Sequence, residues 1–473
     1  MNERGGELTT VEQVGEPVIV VAADSHVGPE FSELRHYCER RHLDDFDDFA
    51  LSWAIGPSLE HDRLMPNEQY LQRFGLDQRA MADAYAESQT LPLRNAKSAG
   101  SHDVNARHRD MDYDGIVADV IFHGTHNSQG FLNPLPFTRP VTEGERRSHP
   151  YGGAGVANWS EKERELAQAG LQIYNRWLVD FCSSAPERHA GLCQIPTWDL
   201  EVAVKEVSWA AQHGLRGINF PCPQESMPPY EDPSWDPLFD LCADLGIPLV
   251  THTGSGKHLP PIYSGPGHFA IVMKETLFVG GRNLWHFIFA GVFDRHPNLK
   301  LVITEVPGSW FVGTIADMDS IYDERGHAGP TLRRFLRRRP SDYVRTNVFF
   351  GVSFMSRSEA SAAVQCGLAD RVMWGSDYSH SEGTWMYYPE GDERRVSVTR
   401  LALADAFAGL TEADARMMAG ANAIACYGLD SLALTGVAQR IGPSVQELTT
   451  APDLTQVPTD YTGLAFRTLG AFS

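Results

Sequence analysis

The sequence is short of several things that would place it outside ordinary soluble globular proteins. No run of about 18 consecutive apolar residues occurs, which excludes a long membrane-spanning helix as an expectation. The opening residues, MNERGGELTTVEQVGEPV, hold no apolar signal core. Cysteine is sparse and unpaired in pattern. Cys38, Cys182, Cys193, Cys222, Cys242, Cys366 and Cys426 make an odd count with no CxxC spacing. That spacing suits reduced thiols rather than a disulfide framework or a zinc knuckle, and the expected location is the cytoplasm. Basic charge is also scarce. Forty Lys and Arg face 61 Asp and Glu, for a net charge of −21. A chain this acidic repels phosphate backbones and anionic lipid, so neither nucleic acid nor membrane is expected as a partner. One basic run stands apart, Arg333, Arg334, Arg337, Arg338 and Arg339 before Pro340, and reads as a solvated helix face. No repeat of solenoid type occurs.

What is present is enough for a large core. Of 473 residues, 42% are hydrophobic and 21% charged. Eight short apolar runs punctuate the chain: PVIVVAADSH (17–26), GIVADVIFH (115–123), HAGLCQIP (189–196), LRGINFP (215–221), IPLVTHTG (247–254), LKLVITE (299–305), TNVFFGVSF (346–354) and RVMWGSD (371–377). Each then breaks into polar residues or glycine. Near-continuous apolar runs of this length suit strands buried on both faces of a parallel sheet.

Helical patterns fill most of the gaps. Residues 200–214 space Val202, Val204, Val207 and Ala211 helically and stop at Gly214. Residues 234–246 run from a Ser234 N-cap to Gly246. Residues 356–367 and 411–428 read as helices too. Eight strands with intervening helices predict an α/β fold, a distorted (β/α)8 barrel over residues 17–428. An N-terminal arm (1–16) precedes it, and an extension (429–473) follows. Two segments, 27–112 and 124–188, are longer than one connecting helix requires. Insertions after strands one and two are expected to build the mouth.

Chemistry-bearing residues gather where those strands end. Asp24 and His26 close the first run, His252 the fifth, Glu305 the sixth and Asp377 the eighth. In a barrel, all C-terminal strand ends converge on one mouth. Asp24 and His26, at i and i+2, point the same way. Imidazole nitrogen and carboxylate oxygen suit one divalent ion such as Zn²⁺ or Mn²⁺. Taken singly, each has a plainer reading, Asp24 as a helix cap and a strand-end histidine as a structural hydrogen-bonder. Five such residues on four strand ends argue for a site. His380, three residues beyond Asp377, can relay protons or brace its loop. His123 and His126 follow the second run and are candidates to bind substrate or to be plain loop polars. Trp310 and Trp385 are candidates to stack on a planar substrate or to pack in the wall.

The segments ADSHVGPE, YEDPSWDPLFDLCADLGIPLVTHTG, GVFDRHPNLKLVITEVPGSW, VMWGSDYSHSEGTW and AGANAIACYGLD resemble a known group. It is the amidohydrolase-related family of aminocarboxymuconate-semialdehyde decarboxylase, γ-resorcylate decarboxylase, 5-carboxyvanillate decarboxylase and oxalomesaconate hydratase. The resemblance runs over about residues 17–428. It implies a metal held by Asp24, His26, His252 and Asp377. The wider superfamily often has a histidine at the sixth strand, where this chain has Glu305. The fourth strand ends in Asn219, with no lysine to bridge a second ion, so one metal is expected.

Such an ion would serve either of two reactions. It can activate a water towards a carbonyl, which is hydrolysis of an amide, ester or lactone. It can hold a substrate carboxylate while a protonated side chain delivers a proton to carbon and CO₂ departs. The resemblance implies the second, a carboxy-lyase acting on a carboxylated aromatic or unsaturated small molecule. Asp377, His380 and Glu305 are the expected catalytic residues, and a homo-oligomer is the expected assembly. A barrel kept only as a binding scaffold would have no need of all four ligands.

Overall fold

The computed structural model describes residues 16–55, 92–95, 97–124, 160–223, 227–253 and 268–468. The eight runs form eight strands: β1 (Val21–Val27), β2 (Ala118–His123), β3 (His189–Gln194), β4 (Gly217–Asn219), β5 (Leu249–His252), β6 (Leu301–Thr304), β7 (Val348–Ser353) and β8 (Val372–Gly375). They lie side by side in chain order. Every neighbouring pair is parallel, with registers such as Val21↔Ala118, Asp119↔His189, Ile218↔Leu249 and Val352↔Trp374. The seam is closed where Ser25 bridges Tyr378 in parallel. The Asp377 N–H donates to the Asp24 carbonyl at 2.9 Å, and the His26 N–H to that of Tyr378. This is the expected (β/α)8 barrel.

Helices wrap the outside because each has one apolar face to bury. Leu200–Gln212 buries Ala203, Val207 and Ala210. Glu161–Ser183, capped at both orphan donors by Ser160 and Glu163, buries Leu166, Ile173, Tyr174, Trp177 and Phe181. Helices Val104–Asp114 and Glu161–Ser183 are the crossovers into β2 and β3. The long segments 27–112 and 124–188 therefore contain wall helices as well as inserted chain. Residues 56–91 and 125–159, with the Gly/Pro-rich stretch between strands two and three, lie outside the described residues.

Some local expectations shift. Helix Asp236–Leu245 ends at Gly246 with φ 67°, as its glycine demands, but Ser234 is not its cap. Ser234 sits inside a short 3₁₀ turn whose first donor is satisfied by the Asp232 carboxylate. Proline at the next position suits the first turn and lets the cap move upstream. The basic run is solvated yet not one helix face. Helix Gly329–Phe335 ends before Leu336, which is extended, and Pro340 opens another helix.

The barrel interior is packed by Val21, Ala23, Val120, Phe122, Leu192, Val250, Val302 and Met373. Its floor is closed by Ala423, Tyr427, Leu434, Val437 and Ala438 from the chain after β8. Arg216 sits at that floor, donating to the Gly428 carbonyl at 2.7 Å. Because the floor is sealed, the polar strand ends at the other rim are where solutes can enter. Among the described residues no helix is long and apolar enough to cross a membrane.

Candidate metal centre

β1 has to solve a steric problem. Val21 and Ala23 face the interior, yet Asp24 and His26 also face the mouth. The strand absorbs the extra residue through a register shift between Ala22 and Ser25. Ser25 then points outward, where its hydroxyl donates to the Val120 carbonyl at 2.7 Å and accepts from Arg107 Nη2 at 2.7 Å. Arg107, fully buried, also donates to the His26 carbonyl at 2.9 Å and to Asp119 at 2.8 Å. A buried guanidinium thus locks β1 to β2.

Four of the expected ligands converge. His26 Nε2 lies 3.4 Å from Asp24 Oδ1 and 3.2 Å from Asp377 Oδ1. His252 Nε2 lies 3.5 Å from Asp24 Oδ1. Donors around a divalent ion at about 2.1 Å in tetrahedral array stand about 3.4 Å apart. Asp24, His26 and His252 form one cluster with ligand atoms all within 4.8 Å of one another, and Asp377 joins His26 and His380 in a second cluster that shares His26. Tautomer and orientation agree. His26 Nδ1 is 3.1 Å from the His123 carbonyl, and His252 Nδ1 is 2.6 Å from that of Thr253. A carbonyl can only accept, so each Nδ1 carries the proton and each Nε2 turns its lone pair inward. Asp24 is anchored through its other oxygen by the Ser353 hydroxyl. Asp24 Oδ1, His26 Nε2 and both Asp377 oxygens are buried without a hydrogen-bond partner, as ligand atoms awaiting a cation would be.

The electrostatics point the same way. Burial alone would raise the Asp24 carboxyl, but His252 and His26 beside it hold it far below the usual carboxylate range. Burial would lower His252, yet the charges of Asp24 and Glu305 push it up to about 10. His26 is raised too, burial being overcome by the neighbouring Asp24 and Asp377 carboxylates. A cation is what this pocket favours, and a divalent ion can take the protons' place.

The remaining candidates surround this core. His380 stacks on His26 with ring centroids 3.9 Å apart, and its Nδ1 is 3.0 Å from Asp377 Oδ1. Glu305 Oε2 is 3.4 Å from His252 Nδ1. Burial, with Asp377 and Asp24 nearby, raises the Glu305 carboxyl well above its ordinary range against the pull of His252. Glu305, Asp377 and Glu382 form a further cluster with ligand atoms within 4.8 Å of one another. His123 at the end of β2 is held at Nδ1 by Gln194 at 2.8 Å and Asn219 at 3.0 Å. Burial and the nearby His26 and His252 lower it to about 3, so it stays neutral. Trp385 is buried edge-on to Tyr378. Trp310 packs against Gly281, whose missing Cβ leaves it room, and lies 6.1 Å from Trp285. His126 lies outside the described residues.

Glu305 (φ 58°), Phe354 (φ 41°) and Asp377 (φ 55°) are in the left-handed region despite carrying side chains. Such backbone is uphill by about 1–3 kcal/mol per residue and needs outside support. Each donates its N–H to a carbonyl of the next strand around the barrel, those of Gly351, Gly375 and Asp24, at 2.9, 2.8 and 2.9 Å. The turn aims Glu305 and Asp377 across the mouth. Sequence reasoning missed Ser353, Arg107, Glu382 and Asn95. Glu382 lies in the SDYSHSEGTW segment, but the other three carry no motif.

Comparison with known proteins gives a consistent outcome. The amidohydrolase family profile matches residues 135–429, well over half the chain. That span holds β3 to β8, with His252, Glu305 and Asp377, while Asp24 and His26 precede it. A 2-amino-3-carboxymuconate-6-semialdehyde decarboxylase of Dictyostelium discoideum is 28% identical over 170 residues, which are 35% of this chain and 45% of that protein. The match therefore spans less than half of that relative's length. The solved 5-carboxyvanillate decarboxylase of Sphingomonas paucimobilis superposes with a TM-score of 0.52 at 18% identity, covering 87% of this chain and 100% of that one. An amidohydrolase of Mycobacterium avium subsp. paratuberculosis gives 0.54 at 17%, covering 87% and 99%. At these identities the likeness is one of fold.

Proposed function

The chain belongs to the amidohydrolase family, and from that premise we propose that it is a metal-dependent carboxy-lyase acting on a carboxylated aromatic or unsaturated small molecule. The observation that carries the metal dependence of this reading is the set of buried donors, Asp24 Oδ1, His26 Nε2, His252 Nε2 and Asp377 Oδ1, linked in sequence by separations of 3.2–3.5 Å at one barrel mouth. They would hold one divalent ion, Zn²⁺ or Mn²⁺. The names of the decarboxylases the chain resembles support the lyase class.

When bound, the ion would supply positive charge that favours an anionic substrate carboxylate. The protein's own groups do the rest. The bond from the ring or alkene carbon to the carboxylate breaks and its electron pair stays on that carbon. A proton must then be delivered there as CO₂ leaves. Asp377 would carry the proton on Oδ2, the oxygen not assigned to the ion, and His380, whose Nδ1 lies 3.0 Å from Oδ1 of the same carboxylate, would resupply it. Glu305 orients the substrate from the side of His252, and His123 offers a neutral imidazole from the β2 side.

The test is a panel of carboxylated aromatics and simple esters with Zn²⁺ or Mn²⁺, scored for CO₂ release. CO₂ from an aromatic acid is the expected result, and ester cleavage without CO₂ would make the protein a hydrolase. Metal-loaded chain with no turnover of either class would make it a binding protein. Asp377→Asn should abolish turnover. Glu305→Gln should keep the metal and lose about 10²-fold or more in rate. Metal lost from Glu305→Gln but kept in Asp24→Asn would exchange those two roles.

A further inference from the structure

The chain beyond the barrel returns to its mouth. The Tyr461 hydroxyl donates to the Gly383 carbonyl at 2.8 Å, and the Leu464 N–H to the Glu382 carbonyl at 2.8 Å. Arg467 is 7% exposed and reaches deeper. Its Nη1 donates to the carbonyls of Phe354 and Leu464, both at 2.7 Å. Its Nη2 pairs with Glu359, whose other oxygen accepts the Gly308 N–H at 2.9 Å.

These partners are not scattered. Gly308 lies three residues after Glu305, and Phe354 follows β7 directly after Ser353, which anchors Asp24. Glu382 and Gly383 belong to the loop that carries Asp377 and His380. A second brace comes from the segment between β1 and β2. Buried Asn95 donates to the carbonyls of His380 at 3.2 Å and Trp385 at 3.1 Å, and accepts the Tyr387 N–H at 3.1 Å. Its neighbour Arg94 pairs with Asp460 at 2.8 Å, which ties the two braces together.

We propose that residues 460–467, with Asn95, form a positioning strap that fixes the loops after β6, β7 and β8 relative to the ligands on β1 and β5. Arg467 is its central positioning residue. The argument rests on where the donors go: five of them end on backbone carbonyls of the β7 and β8 loops. Those loops include Phe354 and Asp377, two of the left-handed residues described above, whose backbone is uphill and held from outside their own turns. A displacement of about 1 Å at a reacting group can cost about 10²-fold in rate, so what pins the backbone of these loops bears on the chemistry. The inference rests on the ligand assignment of the proposed function, but not on its reaction.

The full-length chain is loaded with Co²⁺, whose visible spectrum reports ligand geometry whether or not a substrate is known. Arg467→Met should bind one Co²⁺ per chain with altered visible bands. With a substrate in hand, it should lose about tenfold or more in kcat with KM nearly unchanged. Arg467→Lys should recover part of both. Tyr461→Phe should shift the bands in the same direction but less. If Arg467→Met merely melts earlier, with wild-type bands and wild-type kcat per folded chain, the strap is a stability element and the proposal is overturned. If Arg467→Met does not fold, wild-type bands in Tyr461→Phe overturn it equally. Failure of the wild-type chain to bind Co²⁺ would instead sink the ligand assignment, and the strap's role with it.

Discussion

Asp24 and Gly375 meet at the seam between β1 and β8. A Cβ on Gly375 would come within 2.8 Å of the Asp24 Cβ, closer than real side chains approach. The glycine is therefore what admits the aspartate to the mouth. Gly375→Ala should weaken metal binding by at least about tenfold, as loss of a group that orients a ligand commonly does. Titration calorimetry with Zn²⁺ checks this, and unchanged affinity would mean that Asp24 is not a ligand. Ser353→Ala, which removes the hydroxyl on Asp24 Oδ2, should cost about 10–100-fold in affinity by the same measurement. At this scale the sequence was informative for only one kind of residue. Asp24, His26, His252, Glu305 and Asp377 could be read because each ends an apolar run, and the barrel rule says where such ends meet. Ser353, Asn95 and Arg467 could not, since they act through partners more than a hundred residues away and have no periodicity of their own.

Among elements, helix Val104–Asp114 shows how the wall and mouth are joined. Arg107 on one face locks β1 to β2. Asp114 at its end accepts from Ser397 at 2.6 Å and Thr399 at 2.7 Å, at the start of helix Val398–Phe407. Burial raises the Asp114 carboxyl to about 6, with neighbouring Asp110 adding to it and the two hydroxyls and Arg395 opposing. The folded state therefore holds this proton more tightly than the unfolded chain. The stabilisation is complete below the unfolded value of 3.8 and is lost as pH rises through about 6. At two pH units, its size is about 3 kcal/mol. Urea unfolding of wild type and Asp114→Asn at pH 4 and pH 7 should show the wild type losing more stability between the two. Equal changes would contradict it. The strands were readable because burial on both faces leaves unbroken apolar runs. The bounds of the two insertions were not, because each encloses a wall helix whose amphipathic pattern looks like any other. The Ser234 cap failed for a similar reason, since Asp232 and Pro233 upstream offer a competing start.

Taken as a whole, the molecule is an acidic barrel sealed at one end and polar at the other. Its floor is closed by the chain after β8, and its mouth is braced by the segment around Asn95 and by residues 460–467. Among the described residues, Asp24, His26 and His252 bring ligand atoms within 4.8 Å of one another between β1 and β5, and Asp377 after β8 joins them through His26. The central claim is that those atoms hold one divalent ion. Elemental analysis of purified wild type and His252→Ala, each incubated with Zn²⁺ or Mn²⁺ and desalted, tests it most directly. One ion per wild-type chain and essentially none in His252→Ala is the predicted result. Equal metal in both would show that β5 does not contribute a ligand and would contradict the account.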